Sequence, residues 1–202
     1  MTLAHYNGVT FEAVAWAPHE AEVDLSFACM FEHEANGAQL GGGLLSLDQS
    51  LDRLLTRSRA AGTFKARALE TLPIRFPPSA VRARSLMVIG LGDPDTLCEK
   101  RVEAASSLAL SQALRWEART VAFAPNLLDA GLAIKPDLYV SRAMLQGVLA
   151  AIDVERALLA TRSSAPLSVT TWSFDTGPSR LAGAVLEFRA AFEQLTGLQA
   201  AF

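Results

Sequence analysis

One stretch constrains this chain more than any other: Ser85 to Trp116, SLMVIGLGDPDTLCEKRVEAASSLALSQALRW. It opens on an unbroken apolar run, Leu86-Met87-Val88-Ile89, and breaks at Gly90-Leu91-Gly92-Asp93-Pro94. Apolar residues then recur at helical spacing through Val102, Ala105, Leu108, Ala109, Ala113 and Trp116. A short β-prone run, a glycine turn and a long amphipathic helix are how a buried strand hands over to its covering helix. A strand apolar on both faces needs a layer above and a layer below. The run 86–89 therefore reads as the central strand of a three-layer α/β/α domain.

The rest of the chain extends that pattern. Residues 8–16 alternate as a strand, and 22–31 alternate strictly, with one face expected to be better buried than the other. Ser46-Leu47-Asp48-Gln49 fits a capping box, so a first helix is expected from Ser46, with Gly62 as its stop. Residues 68–76 read as a strand that Pro73 demotes towards an edge. Thr120–Ala124 is a short buried strand. Ser141 is placed to cap a helix running to about Thr161, and 167–174 is β-branched and aromatic. Gly177-Pro178-Ser179 leads into a last helix that carries Leu181, Val185, Phe188, Phe192 and Leu195 on one face and ends at Gly197. Strands and helices alternate from residue 46 onward, which is an α/β class with a mixed sheet. The first two strands have no helix between them, so part of the sheet should be antiparallel.

At 202 residues the chain suits a single domain, 1–202, with an α/β core over 1–176 and a C-terminal helix over 177–202 that packs on the core or on a partner subunit. Half the residues are hydrophobic, 19% are charged, and the net charge is −3. The mean hydropathy of +0.23 fits either a partner subunit covering some apolar surface or a densely packed, Ala-rich monomer. No global field draws in nucleic acid or an anionic membrane. Cys29 and Cys98 match no metal or redox spacing and read as buried free thiols, which suits a reducing compartment. The N-terminus lacks a basic leader, and no apolar run approaches the roughly 20 residues of a membrane span. A cytoplasmic protein without membrane contact is expected.

Chemistry-bearing motifs are sparse. Gly90-Leu91-Gly92 begins like a dinucleotide fingerprint, but the third glycine is missing. Asp93 and Asp95 stand where a following helix would face phosphate, so a strand-to-helix turn with acid caps is the better reading. Gly41-Gly42-Gly43, just before the first helix, can turn backbone amides inward as an anion nest; the bland alternative is a flexible lead-in or close packing. Glu32-His33-Glu34 could offer metal ligands, but a hydrolytic site needs three or four that converge, so a solvated turn is expected, with no metal and no cofactor. Residues 53–84 carry Arg53, Arg57, Arg59, Lys65, Arg67, Arg75, Arg82 and Arg84 against the single acid Glu70, a face that reads first as solvated and second as a contact for phosphates. No residue is assigned a catalytic role.

With these residues in view, the chain resembles the N-terminal domain of the leucyl aminopeptidase family of metallopeptidases. Gly43-Leu44 followed by Leu47-Asp48 is similar to that family's lead-in to its first helix. Gly62, Phe64 and Lys65 resemble its phenylalanine and Gly-Lys region, with Ala66 in place of an expected glycine. Leu86–Gly92 is close to its strand and turn, Arg101 opens a similar Ala- and Ser-rich helix, and Gln146-Gly147-Val148-Leu149-Ala150 resembles a later helix. The likeness runs over roughly residues 9–174. It implies a macro-domain-like fold and, since the family's two-metal catalytic half has no counterpart in these residues, a non-catalytic role. The first expectation is an interaction, regulatory or self-associating module, a homo-oligomer or a partner of another protein. The alternative is a binder of ADP-ribose or a related nucleotide at Gly41, Gly42 and Gly43, with Gly90 and Gly92 as further candidates. Nucleic-acid contact through 53–84 is a further alternative.

Overall fold

The computed structural model describes residues 1–35, 39–125, 127, 138–162 and 166–198. Its strands are Thr2–Tyr6 (β1), Val9–Val14 (β2), Leu25–Phe31 (β3), Thr71–Ile74 (β4), Ser85–Gly92 (β5), Thr120–Ala124 (β6) and Thr171–Asp175 (β7). Its helices are Glu32–Ala35 (α1), Gly42–Ser50 (α2), Leu54–Ala60 (α3), Glu99–Arg115 (α4), Val140–Arg162 (α5) and Leu181–Thr196 (α6). The strands form one seven-stranded sheet in the order β1-β2-β7-β6-β3-β5-β4. The five inner strands run parallel, and β1 and β4 pair antiparallel at the two edges.

The sheet is mixed, as the pattern predicts, but the antiparallel pairs differ from the expected one. β2 and β3 are not neighbours: β7 and β6 lie between them. The antiparallel partner of β2 is β1, joined through Asn7-Gly8, both at positive φ. An Asn-Gly pair with that backbone makes the tight hairpin turn that matches strand twist. The run 86–89 lies in β5, which is buried on both faces but stands next to the edge strand β4 rather than at the centre. Pro73 does sit on an edge strand, where its missing N–H costs no ladder bond.

Helices cover both faces. On one face α4, α5 and α6 close over a large core that holds Phe11, Phe27, Phe123, Trp172, Phe174, Phe188 and Phe192. On the other, α2 and α3 lay Leu44, Leu47, Leu51 and Leu55 against Ala28, Met30, Leu86, Val88 and Ala122. β3 shows how one strand serves both layers: Leu25, Phe27, Cys29 and Phe31 face the aromatic core, while Ala28 and Met30 face the leucines. All seven β3 residues are buried, so the strand expected over 22–31 with one face better buried than the other is instead interior on both faces. Fully covered parallel strands read as unbroken apolar runs for this reason.

Two helix starts differ from expectation. α2 begins a turn earlier than Ser46, with Gly41 in the N-cap position and no side-chain cap. Ser46 sits inside the helix, and its Oγ lies 3.2 Å from His19 Nδ1. The expected single helix is two, because Asp52 and Arg53 adopt positive φ between α2 and α3. Buried Asp48 holds that break: its Oδ1 accepts from the amides of Leu55 (2.8 Å) and Thr56 (3.1 Å), capping α3 from the preceding helix. α5 starts at Val140, so Ser141 lies in its first turn, where its hydroxyl donates to Glu187 of α6 at 2.7 Å. Asp93 and Asp95 belong to a short 3-10 turn, Pro94–Thr96, and not to α4, whose N-cap is Cys98.

α6 contributes Ala184, Val185, Phe188, Ala191 and Phe192 to the aromatic core. Phe188 stacks on Phe174 at 4.3 Å between ring centroids. Gly197 ends the helix at φ +68°, the left-handed position a helix stop favours. Among the described residues no helix is long and apolar enough to cross a membrane.

Candidate functional site

In a parallel sheet, every helix that follows a strand starts at the edge where the strands end. The N-termini of α2, α5 and α6 therefore collect beyond the C-terminal ends of β3, β6 and β7, the usual place for a ligand in such sheets. A cavity of about 510 Å³ lies there. Ala15, Trp16 and Pro18 after β2 form one wall, and Ala124, Pro125 and Leu127 after β6 another. Asp175, Thr176, Gly177, Ser179 and Arg180 after β7 form a third. Gly43 of α2, Ser141 and Met144 of α5, and Ala184 and Phe188 of α6 complete it. The volume is within the range of small-molecule sites.

The electrostatics of the cavity come mostly from backbone. None of α2, α5 and α6 carries an acidic residue in its first turn, and neither α2 nor α6 has a side-chain cap. Three helix ends thus face one space with no carboxylate in their own first turns, although at the start of α5 Glu99 Oε1 accepts from the Tyr139 amide at 3.1 Å and Glu187 accepts from the Ser141 hydroxyl. The two acids in the wall are engaged locally: Asp175 Oδ1 accepts from the Gly177 amide at 3.1 Å, and Glu20 Oε2 accepts from the Ala17 amide at 3.1 Å. Arg180 adds a cation to the rim.

The five glycines singled out from the sequence do not come together. Gly43 lines the cavity, with Gly41 and Gly42 immediately before it at the start of α2. Gly90 and Gly92 line no wall of it. A Cβ at Gly90 would collide with the carbonyl oxygens of Arg67 and Ala66, and at Gly92 one would lie 2.6 Å from Arg101 Nη1. The loop 66–70 crosses β5 at this point, held by Gly92 N–H donating to Ala66 O at 2.9 Å and Leu69 N–H donating to Gly90 O at 2.8 Å. These glycines let backbone approach backbone.

The remaining motifs are structural in this geometry. Glu34 is buried, and its Oε2 accepts from the Phe31 amide at 2.8 Å. Among the described residues no group of three or more His, Cys, Asp or Glu side chains could hold a metal ion. Cys29 is buried as expected; burial pushes its thiol well up, and the Glu34 charge adds to that. Cys98 is exposed, contrary to expectation, because it caps α4 beyond the edge of the core. Of the basic residues over 53–84, Arg57 donates to Asp52 O, Arg59 to Glu34 O, and Arg75 stacks over Trp116 at 4.4 Å. Arg82 pairs with Glu22 at 3.0 Å and Arg84 with Asp24 at 3.3 Å.

Sequence reasoning missed the walls after β2 and β7. Ala17-Pro18 and Gly177-Pro178 were the available signals: each is a proline turn directly after a strand, on the same edge of the sheet as Gly41–Gly43.

Comparison with known proteins agrees with this architecture. The chain matches no curated protein by sequence. A tomato leucine aminopeptidase mutant superposes with a TM-score of 0.66 at 18% identity, covering 94% of this chain and 36% of that one. This chain thus spans about a third of the length of that aminopeptidase. An Oceanobacillus iheyensis macrodomain with ADP superposes with a TM-score of 0.63 at 13% identity, covering 96% of both chains. A Trypanosoma brucei macrodomain in complex with ADP-ribose gives a TM-score of 0.56 at 16% identity, covering 87% of this chain and 67% of that one. At such identities these structures establish the macrodomain-like fold. The sequence profile of the cytosol aminopeptidase family, N-terminal domain, matches residues 30–133, just over half of the 202 residues. With the fold and the profile in agreement, this chain belongs to the cytosol aminopeptidase family, through its N-terminal domain.

Proposed function

We propose that this chain is a non-catalytic binding module whose cavity takes a nucleoside diphosphate of the ADP or ADP-ribose kind. The observation that carries the reading is the convergence of three helix N-termini, free of acidic first-turn residues, on one cavity at the ends of β2, β6 and β7. Backbone amides and helix dipoles there favour a diphosphate, and Gly41–Gly43 lets the α2 backbone come close to it. The macrodomains with ADP and with ADP-ribose share the fold and support the same ligand class. A non-catalytic role is supported by the match to the family's N-terminal domain rather than its catalytic one. Free Cys29 and Cys98 suit a cytoplasmic setting.

Thermal unfolding with and without ligand tests the proposal. A ligand bound only by the folded state raises the midpoint, and at 100 times Kd the gain is about 2.7 kcal/mol. ADP-ribose should raise the midpoint in a concentration-dependent way, whereas ribose alone should not. An unmoved midpoint at millimolar ADP-ribose would remove the reading.

Self-association is the second reading. α6 leaves Leu186 70% exposed on the side away from the core, and α5 leaves Val154 59% and Leu158 48% exposed. Such faces are candidates for a subunit contact. Light scattering at rising concentration tests it, with a strictly monomeric mass as the negative result.

A further inference from the structure

We infer that Trp16 is the platform on which the ligand's aromatic base stacks, so that the cavity discriminates a nucleoside diphosphate from a bare diphosphate. This rests on the binding reading above and adds what reads the base. Aromatic side chains are the natural partners of a base because stacking needs only two π-faces.

The chain's three tryptophans are placed very differently. Trp172 is fully buried, 6.4 Å from Phe27 and 6.1 Å from Phe123 by ring centroid. Trp116 carries the Arg75 guanidinium on its ring. Trp16 is half-buried, packs on the edge of the leucine-rich core and lines the cavity. Among the described residues no aromatic ring or guanidinium is stacked on it. The other aromatic residue of the wall, Phe188, is 1% exposed and already stacked on Phe174.

The loop that bears Trp16 is also fixed in place. Glu20 N–H donates to Ala17 O at 2.8 Å while Glu20 Oε2 accepts from Ala17 N–H at 3.1 Å, closing the turn reciprocally. His19 ties it at two further points, through Ser46 of α2 at 3.2 Å and through its carbonyl, which accepts from Arg82 N–H at 2.9 Å. Pro18 between them is buried. A ring carried on a loop held this way meets a base with less backbone left to order, which favours binding. The His19–Ser46 contact also couples the Trp16 loop to α2, the helix that offers Gly43 to the diphosphate end.

Calorimetric titration of the full chain and two variants tests this, with ADP and inorganic pyrophosphate as probes. In the wild type both should bind, ADP the more tightly. Trp16→Ala should weaken ADP about ten- to a hundredfold, the range expected for losing one base stack, and leave pyrophosphate unchanged. Trp16→Phe, which keeps a ring, should restore most of the ADP affinity. If Trp16→Ala binds ADP as the wild type does while pyrophosphate still binds, the inference is wrong and the site reading stands. If Trp16→Ala weakens both probes equally and Trp16→Phe restores neither, the residue is structural and the inference is wrong. If wild-type chain binds neither probe, the site reading fails and takes the inference with it.

Discussion

The two glycine loops of this chain look alike in sequence and do opposite things. Gly41–Gly43 and Gly90–Gly92 each sit between an apolar strand and a helix, and each could cradle an anion. In the fold, the first opens α2 at the rim of a cavity, while the second lies under a crossing loop whose carbonyls fill the space a side chain would need. A glycine run thus signals close approach of something to the backbone. Whether that something is a ligand or the chain itself depends on what the fold lays across it.

The largest effect should come from filling the second loop. Gly90→Ala sets a methyl against the Arg67 and Ala66 carbonyls, and its neighbours are backbone that cannot turn aside. A loss of about 3 kcal/mol is expected from overpacking of this severity, read as a fall in the urea midpoint at unchanged slope. Gly92→Ala combines φ +77° with a contact to a movable guanidinium and should cost less, about 1–2 kcal/mol. Should either variant be as stable as wild type, the packing account of this loop is wrong.

A change far from both loops calibrates the comparison. Asp24, just before β3, accepts from the amides of Arg119 at 2.9 Å and Thr120 at 3.0 Å, bridging towards β6. Partial burial pushes its carboxyl up, but the Arg119 and Thr120 amides, the Thr120 hydroxyl and the Arg84 guanidinium outweigh that and hold it below its ordinary value. The ionised form is thus favoured by folding. Its contribution is present above the unfolded carboxyl's pKa of about 3.9 and is lost as pH falls through the lower folded value. Asp24→Ala should cost about 1–2 kcal/mol at neutral pH and flatten the acid limb of stability, with ADP affinity unchanged. Unchanged acid unfolding would show that Asp24 does not hold these strands.

The smallest change in stability should come from the first loop, with the largest change in binding. Gly43→Asp places a carboxylate in the first turn of α2, which stabilises the helix dipole by about 0.3–1 kcal/mol. The same charge opposes a bound diphosphate, so ADP affinity should fall at least tenfold. Stability and binding moving in opposite directions would separate this loop from the one at Gly90–Gly92. Binding that survives the charge would place the diphosphate elsewhere.

Much of the fold was legible because its inner strands are covered on both faces and so read as plain apolar runs. Thr120–Ala124 is one such strand, and the turn from Leu86–Ile89 into the α4 helix is another clear signal. Pro73 marked the edge strand, and Gly177-Pro178 and Gly197 bracketed the last helix. β1 was missed because five residues with two buried side chains show no period, although Asn7-Gly8 carried the hairpin signal. The start of α2 was misplaced because three glycines argue against helix, while Leu44 and Leu47, packed on the sheet, draw it back to Gly42. The cavity was half legible: a glycine loop can be seen in sequence, but the meeting of residues 15–18, Ala124, Pro125, Leu127 and 175–180 is created by strand order. No local pattern encodes the insertion of β7 and β6 between β2 and β3.

Calorimetric titration of the wild-type chain with ADP-ribose tests the central claim most directly. A saturable heat with one site per chain, abolished by Gly43→Asp and retained by Asp24→Ala, is the predicted result. No heat at millimolar ADP-ribose from folded protein would contradict it.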